Sequence, residues 1–173
     1  AAAVQSGTLT IPDEANGKPV YALNRRFMAN SGAETVTIGK NIRAFNSDAF
    51  LEALSVKGYQ VNAENKILKV ETGENPVLYR YDGTVLMDYP SAAEKADFKV
   101  PDTTAVIYSM DNAKFGSLDL NQVNLAAYDS FAGTYVDTLT LRDNLKTKSG
   151  SKNVSFSGHG LHAKQFIVSD TKT

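Results

Sequence analysis

No cysteine occurs in the 173 residues, so disulfide frameworks, thiol catalysis, iron–sulfur clusters and thiolate zinc sites are excluded together. Tryptophan is also absent, and histidine appears only as His159 and His162, which leaves little of the usual catalytic vocabulary. Eighteen Lys and Arg against 19 Asp and Glu give a net charge of -1. That balance offers no electrostatic case for nucleic acid or for an anionic membrane as partner. No apolar run approaches the ~18 residues that cross a bilayer as a helix, so direct membrane insertion is not expected. The N-terminal Ala1-Ala2-Ala3-Val4-Gln5-Ser6-Gly7 has no basic segment followed by an apolar one, so no signal peptide is read within the chain. The length suits one ordinary domain, which at this size buries roughly two thirds of its extended surface without needing a staple.

What the chain does contain is a degenerate repeat. An apolar-polar-apolar triplet recurs as Leu9-Thr10-Ile11, Val36-Thr37-Ile38, Tyr59-Gln60-Val61, Phe98-Lys99-Val100, Leu118-Asp119-Leu120 and Leu139-Thr140-Leu141. A seventh copy, Phe166-Ile167-Val168, breaks the polar middle position. Alternation over such short runs marks a half-buried strand. The last members step by 27, 23, 39, 20, 21 and 27 residues, mostly within the 20–29 of a leucine-rich repeat. Between strands, Ile42, Phe45, Ala49 and Phe50 match Val123, Ala126, Ser130 and Phe131 in their aliphatic-to-aromatic spacing. The reading is one strand and one short turn or helical segment per repeat, each too small to bury its own apolar side and therefore stacked on the next.

The 39-residue step carries an insertion. Residues 76–90 place two β-rich arms around Asp82-Gly83, a strong hairpin signal because both residues tolerate positive φ. A smaller excursion is expected at Asn16-Gly17-Lys18-Pro19. The Lys-, Ser- and Gly-rich stretch from Lys146 to Gly160 reads as a loop before a terminal strand near Phe166 to Val168. The whole of 1–173 is expected to be a single domain, with repeats over about 7–145, the insertion at about 69–90 and an atypical C-terminal cap at 146–173.

These residues resemble the BspA-like class of leucine-rich repeat. The resemblance rests on Ile11-Pro12-Asp13, Asn16-Gly17-Lys18-Pro19-Val20 and Phe45…Asp48-Ala49-Phe50. The most specific stretch is Val61 to Asn65, then Val77-Leu78-Tyr79, Asp82-Gly83-Thr84, Leu86, Tyr89-Pro90, Phe98 and Val100-Pro101-Asp102. The chain departs from the pattern at Gly39 and Arg142, where the family favours Pro, and at Asn112-Ala113-Lys114-Phe115, where Ala-Phe is expected. The resemblance implies an α/β, β-rich, right-handed solenoid. It also implies a non-catalytic module, secreted or at a bacterial cell surface, that adheres to a protein or extracellular-matrix ligand. A monomer without cofactor or metal is expected.

His159-Gly160-Leu161-His162 is the only histidine cluster, with Asp170 the one nearby carboxylate; Gly158 and Gly160 argue for a solvated loop over a metal site. There is no Gly-x-Ser-x-Gly elbow, phosphate-binding Gly-rich loop or calcium-loop consensus. Asp82 and Asp88, the pair weighed for glycoside cleavage, sit on one hairpin, where turn formation and solvation explain them. The better candidates are faces. Because side chains alternate across a sheet, the middle residues Thr10, Thr37, Gln60, Lys99, Asp119 and Thr140 should align as one outward polar ladder open to an extended partner. Arg80 and Tyr81 at the hairpin tip are a second candidate, while Tyr79 and Tyr89 should pack inward. Against adhesion stand a structural spacer in a larger surface protein and, last, a glycan- or peptide-processing hydrolase.

Overall fold

The computed structural model describes residues 7–46, 49–50, 52–71, 75–149, 152–156 and 158–169. Asp48, Asp170 and Ala1 to Ser6, named above, lie outside them. The described residues form a β-solenoid of about six turns. The seven triplets lie on the strands of one wall, here called the front, except that Val100 and Leu120 fall one residue past the ends of theirs. β1 (Thr8–Ile11), β5 (Thr35–Ile38) and β7 (Gly58–Val61) form a three-stranded parallel sheet. β11 (Ala96–Lys99), β13 (Lys114–Asp119), β15 (Tyr135–Arg142) and β18 (His162–Ser169) form a four-stranded parallel one.

The rear wall corrects the helical element of the sequence reading: among the described residues there is no helix. In the C-terminal half the rear is a parallel ladder of β10 (Val85–Asp88), β12 (Val106–Ile107), β14 (Leu125–Ala127) and β16 (Lys146–Ser149). Each turn there contributes two strands, not one. In the N-terminal half the rear is mostly turns, joined by the two-residue pairing of β4 (Ala22–Leu23) with β6 (Ala44–Phe45). The excursion at Asn16-Gly17 is the hairpin β2 (Glu14–Ala15) and β3 (Lys18–Pro19). The stretch read as a loop holds another hairpin, β16 with β17 (Lys152–Ser155).

β8 (Leu68–Glu71), β9 (Val77–Arg80) and β10 form an antiparallel meander whose last strand is the first rung of the rear ladder. The hairpin does not lie on the solenoid; it divides it. Leu78, Val85 and Met87 join an N-terminal core with Ile11, Val36, Ile38, Phe50 and Tyr59. Val77, Tyr79, Leu86 and Tyr89 join a C-terminal core with Phe115, Leu118, Phe131 and Leu139. Successive side chains of a strand point to opposite faces, so a strand covered on both sides carries a continuous apolar run. Val77-Leu78-Tyr79 and Val85-Leu86-Met87 are such runs, all buried. The stacked repeats thus enclose two cores sharing one septum.

Two departures from the repeat pattern now have a cause. A Cβ on Gly39 would stand 2.6 Å from Asp13 Oδ1 and 3.0 Å from the Ile11 carbonyl, so a larger residue there must displace the Asp13 side chain and press on the Ile11 backbone. Asn112 takes a left-handed backbone at φ 58°, and Phe115 lies on β13 in the front wall, buried against Tyr89.

Candidate functional site

The outward ladder is two ladders. Thr10, Thr37 and Gln60 are cross-strand neighbours on β1, β5 and β7, and the Thr37 hydroxyl donates to Gln60 Oε1 at 3.3 Å. Lys57 pairs with Glu34 at 3.0 Å and Lys40 with Glu64 at 3.1 Å beside it. The hydrogen bond and charge of Glu64 hold the Lys40 ammonium pKa above its ordinary value. Lys99, Asp119 and Thr140 form the second ladder on β11, β13 and β15, and Ile167 of β18 ends it. The meander separates the two sheets, because β8 follows β7 and turns the chain toward the rear. The second ladder is partly committed to its own neighbours: Lys99 pairs with Asp102 at 3.2 Å, and Asp119 Oδ1 accepts the Asn121 backbone N–H at 2.9 Å.

At the hairpin tip, Arg80 donates through Nε and its terminal nitrogen to Asp82 at 2.7–3.0 Å, and also to the Thr84 hydroxyl. The Asp82 carboxyl is drawn well below the carboxylate range by Arg80 first and the Thr84 N–H second. Tyr81 beside it is exposed, while Tyr79 and Tyr89 are buried, as the sequence suggested. Asp88 is the correction. It is buried, not solvated, and Tyr59 donates to its Oδ2. Burial, then the charge of Asp111, pushes its pKa well up, against the donors Ser109 and Tyr59. Asp111, equally buried, accepts from Ser109 Oγ at 2.6 Å, Asn112 Nδ2 at 2.9 Å and the Glu52 N–H at 3.2 Å. Asp82 and Asp88 therefore occupy opposite environments and do not face each other across a cleft.

The two histidines share no site. His159 stacks on Tyr128 (centroids 5.0 Å apart, 23°) and its Nδ1 meets Asp129 Oδ1 at 3.1 Å. His162 stacks on Tyr135 at 4.7 Å and 11°. Among the described residues no group of three His, Cys, Asp or Glu is placed to hold a metal ion.

A further concavity lies outside the two ladders and the hairpin tip. A groove of about 880 Å³ beside β18 is lined by Lys95, Lys114, Tyr135, Asp137, His162 and Lys164, with Phe115, Leu161 and Phe166 among the apolar contributors. Lys114, Tyr135 and His162 are register partners on adjacent strands. Asp137 accepts from Lys95 and from Lys164, the latter at 2.8 Å, and these two ammonium groups hold its pKa at about 2. The signal was present. Lys114, Tyr135 and His162 each precede the first member of a triplet, Leu118, Leu139 and Phe166, by four residues.

No family model matches the chain, and no curated protein does. Among solved structures, a leucine-rich repeat protein from Eubacterium ventriosum is similar, with a TM-score of 0.68 at 18% identity over 82% of this chain. The pneumococcal vaccine antigen PcpA is similar at a TM-score of 0.59 and 14% identity over 96% of this chain. This chain spans 37% and 57% of those two chains, respectively. At such identities the likeness is one of fold: the chain is built as a leucine-rich-repeat solenoid.

Proposed function

We propose that this chain is a non-catalytic binding module of a bacterial surface protein of the BspA-like class, recognising a protein or matrix partner through the outward side of its front wall. The observation that carries the reading is the register itself. Parallel strands bring polar, charged and aromatic side chains distant in sequence into rows, from Thr10–Thr37–Gln60 at one end to Lys114–Tyr135–His162 at the other. Rows of this kind, on a scaffold whose apolar side is satisfied by stacking, are how solenoids present extended binding surfaces. A pneumococcal antigen of similar fold supports an exported setting.

The second reading is a spacer segment. It draws on the ion pairs that tie Lys99 of the ladder and Lys40 beside it to neighbouring acids, since a charge already paired offers less to a partner. Binding of the purified chain to a panel of immobilised matrix proteins separates the two. The module reading expects saturable binding to at least one protein, weakened severalfold by Gln60→Ala or Lys99→Ala with the melting temperature unchanged. Binding to none of them, or binding indifferent to every front-wall substitution, favours the spacer.

A further inference from the structure

Where the turns of the N-terminal rear wall meet the meander, the surface opens into a notch. A hollow of about 170 Å³ has Arg43, just before β6, Arg80, at the end of β9, and Tyr108 on its walls. Its floor is apolar: Leu68, Val85 and Met87, all buried side chains of the septum and its first strand. A second hollow of about 310 Å³ shares Arg43 and Ile67 with the first and continues past Lys66 to Lys40 and Glu64. The two form one continuous groove in the middle of the chain, bounded by turns on both sides.

Stacking gathers the charge there. Arg43 and Lys66 each stand five residues after the last member of a triplet, Ile38 and Val61, so successive turns set them side by side. Neither has an anionic partner among the described residues. The Arg43 backbone N–H donates to the Tyr21 carbonyl at 2.9 Å, and its guanidinium lies over the Tyr21 ring, 5.3 Å from the centre. Arg80 is fixed by Asp82 and Thr84 through Nε and Nη2, which leaves both N–H groups of Nη1 without an acceptor among the described residues. Lys40, at the far end, is spent on Glu64, with Asp13 and Glu14 near enough to act on it. The open charge therefore lies at Arg43, Lys66 and Arg80, on a chain whose net charge is -1. Cations held around one hollow are eased by an anion between them, and a guanidinium already oriented loses little freedom in binding one.

We propose that this rear notch is a second binding surface, separate from the front wall, that takes a glutamate-bearing segment of a partner protein. The floor decides between a peptide and an anionic glycan. A sugar ring lowered onto Leu68, Val85 and Met87 would leave its hydroxyls unpaired, at a cost of about 1–3 kcal/mol for each one buried. A glutamate lays its methylene stem on that floor and turns its carboxylate to Arg43 and to Nη1 of Arg80. The next acidic side chain of the same segment meets Lys66, and exposed Ile67 between them takes an apolar neighbour.

The test is fluorescence anisotropy with a labelled ten-residue peptide of alternating glutamate and alanine, alongside its glutamine–alanine counterpart, which has the same shape without the charge. Saturable binding of the glutamate peptide is expected, about tenfold tighter than the glutamine one and weakened as salt is raised. Arg43→Gln should weaken it about tenfold, and Arg43→Lys should restore only part of the loss, because an ammonium cannot make the paired contact. Lys66→Gln removes an exposed side chain with no partner to lose, so it should weaken binding severalfold with the melting temperature unchanged. Lys152→Gln, which removes an exposed lysine of β17, should leave binding as it is. Absence of saturation, equal binding of the two peptides, or binding indifferent to both Arg43→Gln and Lys66→Gln overturns the proposal. So does a heparin octasaccharide that binds through Arg43 while the glutamate peptide does not, since the occupant is then a glycan. A concentration-dependent dimer in sedimentation that Arg43→Gln abolishes overturns it as well, because a second copy then fills the notch.

Discussion

The two halves of this solenoid share a front wall of parallel strands but close their rear walls differently. In the C-terminal half, β10, β12, β14 and β16 satisfy one another's backbone groups through a ladder. In the N-terminal half the rear is built of turns, with Arg26, Asn30 and Glu52 held in the left-handed region at φ 52°, 57° and 66°. Backbone groups that lack a ladder are met there by side chains. Buried Asn65 donates through Nδ2 to the carbonyls of Gly39 and Ile42 at 2.9 and 3.1 Å, and its Oδ1 accepts the N–H groups of Ile67 and Leu68 at 2.8 and 2.9 Å. One fold thus tolerates two rear walls, provided every buried polar backbone group finds a partner. The shared element is the septum, and it sets how far the halves behave as one.

Breaking the septum should have the largest effect. Leu78 and Leu86 are both fully buried and face opposite cores. Either leucine to alanine should cost about 2–5 kcal/mol in denaturant unfolding. Because β9 and β10 serve both cores, hydrogen exchange should then rise in both halves within one cooperative transition. Exchange confined to the half that lost its leucine would show instead that the halves unfold independently.

Tight turns compare the halves on a smaller scale. Gly17 and Gly160 both lie at positive φ, 70° and 72°, but only one has neighbours: a Cβ on Gly160 would stand 2.8 Å from Ala132 Cα, and none lies within 4 Å of Gly17. Gly160→Ala should cost about 1–3 kcal/mol, since a forced backbone shift adds to the conformational strain. Gly17→Ala should cost about 1 kcal/mol from strain alone. Thermal melts read both, and equal costs would mean that the contact of the 158–161 turn with residues 132–133 carries no weight.

The smallest effect is one of pH. Burial raises the Asp88 pKa above its unfolded value of about 3.9. The stability linked to it is therefore complete below about pH 4 and is lost as pH rises toward the folded pKa. Asp137 runs the other way. Held at about 2, it contributes above its unfolded pKa and loses that contribution as pH falls toward 2. Asp88→Asn should leave acid unfolding below pH 4 intact and reduce the loss of stability as pH rises above it. Asp137→Asn should lower stability above about pH 4 and flatten the acid limb, leaving stability near pH 2 unchanged. Identical pH profiles for wild type and Asp88→Asn would place the Asp88 carboxyl in water.

Much of this was legible in the chain. The seven triplets, their spacing and the Asp82-Gly83 turn follow from period-two alternation and from the tolerance of those turn residues for positive φ, both local properties. The inward packing of Tyr79 and Tyr89 was legible for the same reason. The rear strands were not: Val106-Ile107 and Leu125-Ala126-Ala127 are too short to show a period, and they become strands only because a neighbouring turn supplies hydrogen-bond partners. The solvated reading of Asp88 failed because a polar residue at the end of a hairpin strand gives no sign of the second core that covers it. The Lys114–Tyr135–His162 row was written at a constant offset, yet its members mean nothing apart until register sets them side by side.

The sequence by itself therefore determined the repeat, the front strands and the position of the hairpin, because these depend on contacts within a few residues. Tertiary structure alone decided that the hairpin would be a septum and that the polar ladder would divide into two. Those outcomes depend on which face of a strand another turn covers, and that is fixed only when turns distant in sequence stack.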